Sequence, residues 1–183
     1  MTPDQRYGPL RLPVAAAEAA TYLKSLGLTP RSPMKDLIVD AMEPDFSFDI
    51  AAIEAHVRDG TVPIKLFDLR VEEWNPYGVR VVNGTVGQDP GGNTDLMYAA
   101  SMLPARACEP VIVIDHGPEG YQLIDGSHRI ARALIEGRVV QKAVILKRGD
   151  VVHMRRSEHV VERFMRRCSA RIEVRKVDGA VHK

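Results

Sequence analysis

The run Gly120-Tyr121-Gln122-Leu123-Ile124-Asp125-Gly126-Ser127-His128-Arg129, continued by Ile130 to Gly137, changes its repeat in the middle. An apolar, β-prone stretch breaks at Asp125-Gly126 and passes directly into helical spacing. Ile130, Ala133, Leu134 and Gly137 recur at intervals of three and four, which places them on one helix face. Asp125 and Ser127 are both N-cap types, and Gly126 allows a tight turn that a Cβ resists. The segment therefore predicts a strand, a sharp turn and an exposed helix N-terminus bearing a hydroxyl, an imidazole and a guanidinium. Free N–H groups and the positive dipole end make such a terminus an anion site. Arg129 adds a planar fork that fits phosphate. Each residue also has a purely structural role open to it. Asp125 or Ser127 can cap the helix, His128 can bond a backbone carbonyl, and Arg129 can pair with an acid.

The flanks extend the pattern. Leu96 to Met102 reads as a preceding helix and Glu109 to Asp115 as a strand. His116-Gly117-Pro118-Glu119-Gly120 reads as the hairpin turn, and Val139 to Leu146 as a returning strand. A strand, then Asp-Gly-x-His-Arg, then a helix with small residues resembles the core of the ParB/sulfiredoxin-like superfamily. The likeness covers roughly residues 94–146, with the strand near 62–70, and leaves the N-terminal third unaccounted for.

The resemblance implies an α+β fold with a small mixed sheet and packed helices, here carrying a helical N-terminal extension. It also implies a nucleoside di- or triphosphate ligand with Mg²⁺, bound at Asp125, Gly126, Ser127, His128 and Arg129. His128 and Arg129 match the pair that holds phosphates in the family. In sulfiredoxin a cysteine at the position of Ser127 performs the chemistry, so serine here speaks against sulfinic-acid reduction. Asp68 and Arg70 are additional candidates, because family members place a charged residue of that strand near the ligand. No catalytic residue is assigned; Glu72 and Glu73 at the strand end are carboxylates of the type that serve as bases or stay solvated.

Composition bounds the rest. The 183 residues are 45% hydrophobic and 27% charged with a net charge of +1, ordinary globular values without a global nucleic-acid signal. Basic residues are dense after Arg138, including Arg155, Arg156, Arg163, Arg166 and Arg167. They would form a phosphate-gripping face or an ordinary solvated one. The two cysteines, Cys108 and Cys168, lack metal-ligand spacing, read as buried small apolar residues, and fit a reduced, cytoplasmic setting. Neither a membrane span nor a secretory signal is expected.

Along the chain, Val14 to Leu26 reads as a helix closed by Gly27, Met34 to Met42 as a second, and the segment after Asp49 as a third, ended by Asp59-Gly60. Val62 to Val71 and Val79 to Val82 read as strands. Gly84 to Asn93, with four glycines and a proline, reads as a mobile loop. Ser157 to Arg167 reads as a basic helix and Ala170 to Val177 as a last strand. The expected divisions are 1–60, 61–150 and 151–183.

Two functions follow. One is a nucleotide-binding protein that hydrolyses a nucleotide or transfers its phosphoryl group. The other is a non-enzymatic, DNA-associated partition or regulatory protein that contacts DNA through its basic C-terminal helix. The N-terminal third is open to covering the sheet, forming a homodimer contact or docking a partner.

Overall fold

The computed structural model describes residues 10–30, 48–61, 66–74, 79–82, 85–88 and 94–155. The expected helices over 34–42 and 157–167 and the strand over 170–177 lie outside these residues. Within them the strands are β1 (Leu10–Arg11), β2 (Leu66–Arg70), β3 (Val79–Val82), β4 (Thr85–Gln88), β5 (Val111–Asp115), β6 (Tyr121–Asp125) and β7 (Val140–Lys147). The helices are α1 (Ala16–Ser25), α2 (Ile50–Arg58), α3 (Leu96–Ser101), α4 (Pro104–Ala107), α5 (Ser127–Glu136) and α6 (Arg148–Val151). The chain divides into two compact units, Met1–Met34 with Pro63–Arg148 and Lys35–Val62 with Gly149–Lys183.

The first unit is built on a mixed four-stranded sheet in the order β2-β7-β5-β6. β5 and β6 form an antiparallel hairpin, β7 runs parallel to β5, and β2 closes the sheet antiparallel to β7. A parallel pair needs a crossover, and α5 supplies it between β6 and β7. β5 reads Val-Ile-Val-Ile-Asp and its first four residues are buried. That continuous apolar run suits a strand covered on both faces.

α5 is buried over a wider arc than its simplest periodicity implies. Ile130 and Ala133 pack on Leu69, Val111, Val113 and Ala143 of the sheet. Ala131 and Ile135 pack instead on Ala19 and Leu23 of α1 and on Leu96, Met97, Ala99 and Ala100 of α3. Fully burying each isoleucine contributes about 1.5–3 kcal/mol. The alanines of α1 and α3 let these helices approach α5 closely, so α1, α3 and one side of α5 form a cluster of their own beside the one α5 makes with the sheet. At its far end α5 stops in a Schellman arrangement: Gly137, at φ 67°, donates to Leu134, and the Arg138 amide donates to the Ala133 carbonyl.

A second, three-stranded sheet runs β1-β4-β3. It corrects the expectation of a loop from residue 84 onward, because Thr85–Gln88 is a strand paired with both Val79–Val82 and Leu10–Arg11. Glycine content suggested a loop, while pairing on both sides supplied the backbone partners. Asn83-Gly84, the pair favoured in two-residue hairpins, was the overlooked signal.

In the second unit α2 begins as expected, with the Asp49 carboxylate accepting the Ala52 amide hydrogen at 3.1 Å. Ile53 of α2 is fully buried, and the His56 ring meets His153 edge-on at 5.9 Å. Among the described residues no helix is long and apolar enough to cross a membrane.

Candidate functional site

The corner between β6 and α5 forms where the sequence places it, with one local difference. The N-cap is Gly126 itself, in the left-handed region at φ 111°, and no side chain caps the helix. The expectation that Asp125 or Ser127 would cap is therefore corrected. Asp125 ends the strand and turns its carboxylate to Arg129, while Ser127 is the first residue inside the helix. Gly126 is required on two counts. Its φ disfavours any L side chain, and a Cβ there would stand 2.4 Å from Val111 Cγ1.

The turn is prepared by an irregularity in the hairpin. Val113 pairs with Leu123 but Ile112 pairs with Asp125, so Ile124 is an extra residue in β6. Such a bulge re-aims the end of a strand. It leaves Asp125 opposite Ile112, one residue before the corner.

Both cationic candidates at this corner are engaged. Arg129 is buried, with a side chain only 10% exposed, and its guanidinium bonds Asp125 and reaches Glu109 at 3.5 Å. His128 Nε2 accepts the Asp95 amide hydrogen at 3.0 Å. The imidazole that accepts at Nε2 carries its proton on Nδ1 and is neutral. Burial pushes its pKa below 6.5, against the opposing pull of Asp95 and Asp125; Arg106 and Arg129 add to the lowering. The ring also lies edge-on to Tyr98, with centroids 5.0 Å apart.

Residues beyond the sequence-based candidates complete the neighbourhood. Asp95 caps α3 by accepting from the Tyr98 amide at 2.9 Å. Thr94, one residue before the amide that holds His128, is fully buried and its Oγ1 has no partner among the described residues. Arg132, one turn beyond His128, bonds the carbonyls at the end of α3 and the Glu136 carboxylate. The Asp preceding Leu96-Met97 was a readable cap signal; the choice of His128 as its partner was not.

Asp68 and Arg70 do not join this group. β2 and β6 are at opposite edges of the sheet, three strand spacings or about 14 Å apart. Leu69 packs toward α5, so its neighbours Asp68 and Arg70 fall on the other face. There Asp68 pairs with Lys142, and Arg70 with Glu72 and Glu73, all exposed. Cys108 corrects another expectation: it is exposed, because it closes the turn after α4 while Ala107 before it takes the buried position.

Among the described residues no group of three or more His, Cys, Asp or Glu side chains could hold a metal ion. The fold and corner define a mixed α+β protein whose strand–turn–helix junction ends in an uncapped helix N-terminus. No family model, curated protein or solved structure matches the chain.

Proposed function

We propose that this chain binds a phosphorylated ligand, a nucleoside di- or triphosphate, at the start of α5, as the ParB/sulfiredoxin-like resemblance implies. The observation that carries the reading is the glycine N-cap. The first amide of α5 to find a helical acceptor is that of Ile130, which donates to Gly126, and among the described residues no side chain caps the three before it. Those of Ser127, His128 and Arg129 thus present N–H groups at the positive end of a ten-residue helix. The buried hydroxyl of Thr94, beside Asp95 and without a partner among the described residues, supports the same corner.

The engaged side chains redistribute the roles. Recognition falls to the backbone amides and the Ser127 hydroxyl, while Arg129 neutralises Asp125, whose charge would otherwise repel a phosphate. His128 serves as a neutral positioning group. With no cluster among the described residues to hold it, Mg²⁺ enters as the counterion of the nucleotide, bound chiefly by phosphate oxygens and water. With Asp125 spent on Arg129, and Glu72 and Glu73 paired with Arg70 in the turn that follows β2, the geometry favours binding over turnover.

The test is a thermal-shift series with nucleoside di- and triphosphates, with and without Mg²⁺, on the wild-type chain and on Ser127→Asp. A ligand at about 100 times its Kd adds about 2.7 kcal/mol of stability. An aspartate in the first turn complements the helix dipole and leaves the unliganded protein as stable or slightly more so, by about 0.5 kcal/mol. The same charge repels phosphate, so the nucleotide shift should vanish in the variant. A shift retained in Ser127→Asp moves the site elsewhere. No shift with any nucleotide, together with salt-sensitive binding of duplex DNA, would favour the DNA-associated role instead.

A further inference from the structure

The environment of His128 has a property that does not depend on any ligand. The lone pair of Nε2 that accepts the Asp95 amide hydrogen is the same lone pair that takes a proton when the ring ionises. The geometry points to a proton-sensitive latch, in which protonation of His128 and attachment of the start of α3 to α5 exclude one another. With a hydrogen on Nε2, two N–H groups would face each other across 3.0 Å, and the contact would have to open.

The groups around the ring set its balance. Asp95, ahead of α3, and Asp125, at the end of β6, favour the charged form. Arg106 of α4 and Arg129 of α5 oppose it, and burial against the Tyr98 ring opposes it most. The closed latch therefore holds a neutral ring at neutral pH. Opening has a defined local consequence, because Asp95 also caps α3 through the Tyr98 amide. Displacing Asp95 loosens that first turn, while Arg132 still holds the other end of α3. The freed imidazolium then stands in the first turn of α5. If the anion reading above is correct, on which this last step rests, anion binding and proton uptake reinforce each other.

Two measurements on the full-length chain test the latch. Ring nitrogen shifts of His128 should report a neutral, Nδ1-protonated imidazole at about pH 7.5. Protection of the Asp95 and Tyr98 amides against hydrogen exchange should then fall as the pH drops below 6.5, by up to about tenfold per pH unit. In His128→Gln the Gln Oε1 can accept the same amide hydrogen without titrating, so protection should stay flat. A charged ring at neutral pH, or an equal loss of protection in His128→Gln, overturns the latch. The ring measurement needs no variant and decides the matter if the glutamine chain does not fold. A separate arm uses sulfate, whose charge is constant over this range, read as the difference in thermal shift between wild type and His128→Gln. A larger wild-type shift in acid supports the coupling. With the latch confirmed, silence in this arm overturns the coupling to anions, and silence in both this arm and the nucleotide series overturns the anion reading while the latch stands.

Discussion

His128 and Arg132, one turn apart on the same face of α5, hold the two ends of α3. His128 takes the Asp95 amide at the start of that helix, at 3.0 Å. Arg132 Nη1 donates to the carbonyls of Ala99, Ala100 and Met102 at its end, at 3.2, 2.7 and 3.0 Å. A six-residue helix is too short to be stable alone, and its last carbonyls lack i+4 donors, with the Met102 amide reaching Ala99 at 3.4 Å. Two side chains of α5 supply what α3 lacks, which ties the helix before the hairpin to the corner after it.

Arg132→Met should therefore uncap α3. The variant keeps the aliphatic volume but takes the Arg132 donor from three carbonyls, of which Ala99 keeps the Met102 amide at 3.4 Å, and leaves Glu136 with Arg138 as its cation among the described residues. A loss of about 3 kcal/mol is expected, measured by denaturant unfolding. Arg132→Lys should recover only part of it, since one ammonium cannot reproduce the planar fork.

Gly126→Ala should be among the most damaging single changes in the described core. The added methyl meets Val111 on a central strand, at 2.4 Å from Cγ1, and the backbone is held at φ 111°. Strain and overpacking together should cost about 3 kcal/mol, visible as a lowered unfolding midpoint. Gly60→Ala, at φ 66° with open space around it, shares the positive φ without the collision and should cost less.

Asp125 and Arg129 should behave as a coupled pair. Arg129→Gln removes the cation beside two carboxylates, and Asp125→Asn removes the main partner of a buried guanidinium. Each single change should destabilise by about 1–3 kcal/mol, with the double variant losing at least about 1 kcal/mol less than their sum in a double-mutant cycle. Additive losses would show that the pair is incidental. The cycle also matters for any ligand experiment, because a binding defect in an Arg129 variant would mix recognition with folding.

The acid side of the stability profile should carry the signature of His128. Its folded pKa lies below 6.5, so between those two values the unfolded chain binds more protons than the folded one. Stability then rises with pH through that window, is fully present above 6.5, and is lost as the pH falls toward the folded value. Melting temperatures between about pH 5 and pH 8 should show this slope in the wild type and a shallower one in His128→Gln. Identical slopes would mean that other histidines set the profile.

The order of elements around the corner was legible in the sequence because each step is a local signal. The apolar run of β5, the turn at 116–120, the break at Asp125-Gly126 and the spacing of Ile130, Ala133 and Leu134 act over a few residues. They name strand, turn and helix directly. The Asp49 cap and the end of the first helix near Gly27 were readable for the same reason. For the strand at Thr85–Gln88 the hairpin with Val79–Val82 had a local signal in Asn83-Gly84, whereas its pairing with Leu10–Arg11, more than 70 positions earlier, had none.

What the chain alone determined is that a glycine turn would set a serine, a histidine and an arginine at the head of a helix. Only the folded structure decided what those side chains touch. Arg129 turned to Asp125 and to Glu109, twenty residues away, and His128 to an amide thirty-three residues away. A side chain in a low-dielectric interior must find a partner, and the partner is whichever polar group the packed elements bring within reach. Helix and strand periodicity fix which elements form; the crossover of α5 over the sheet, with α3 packed beside it, fixes which groups meet.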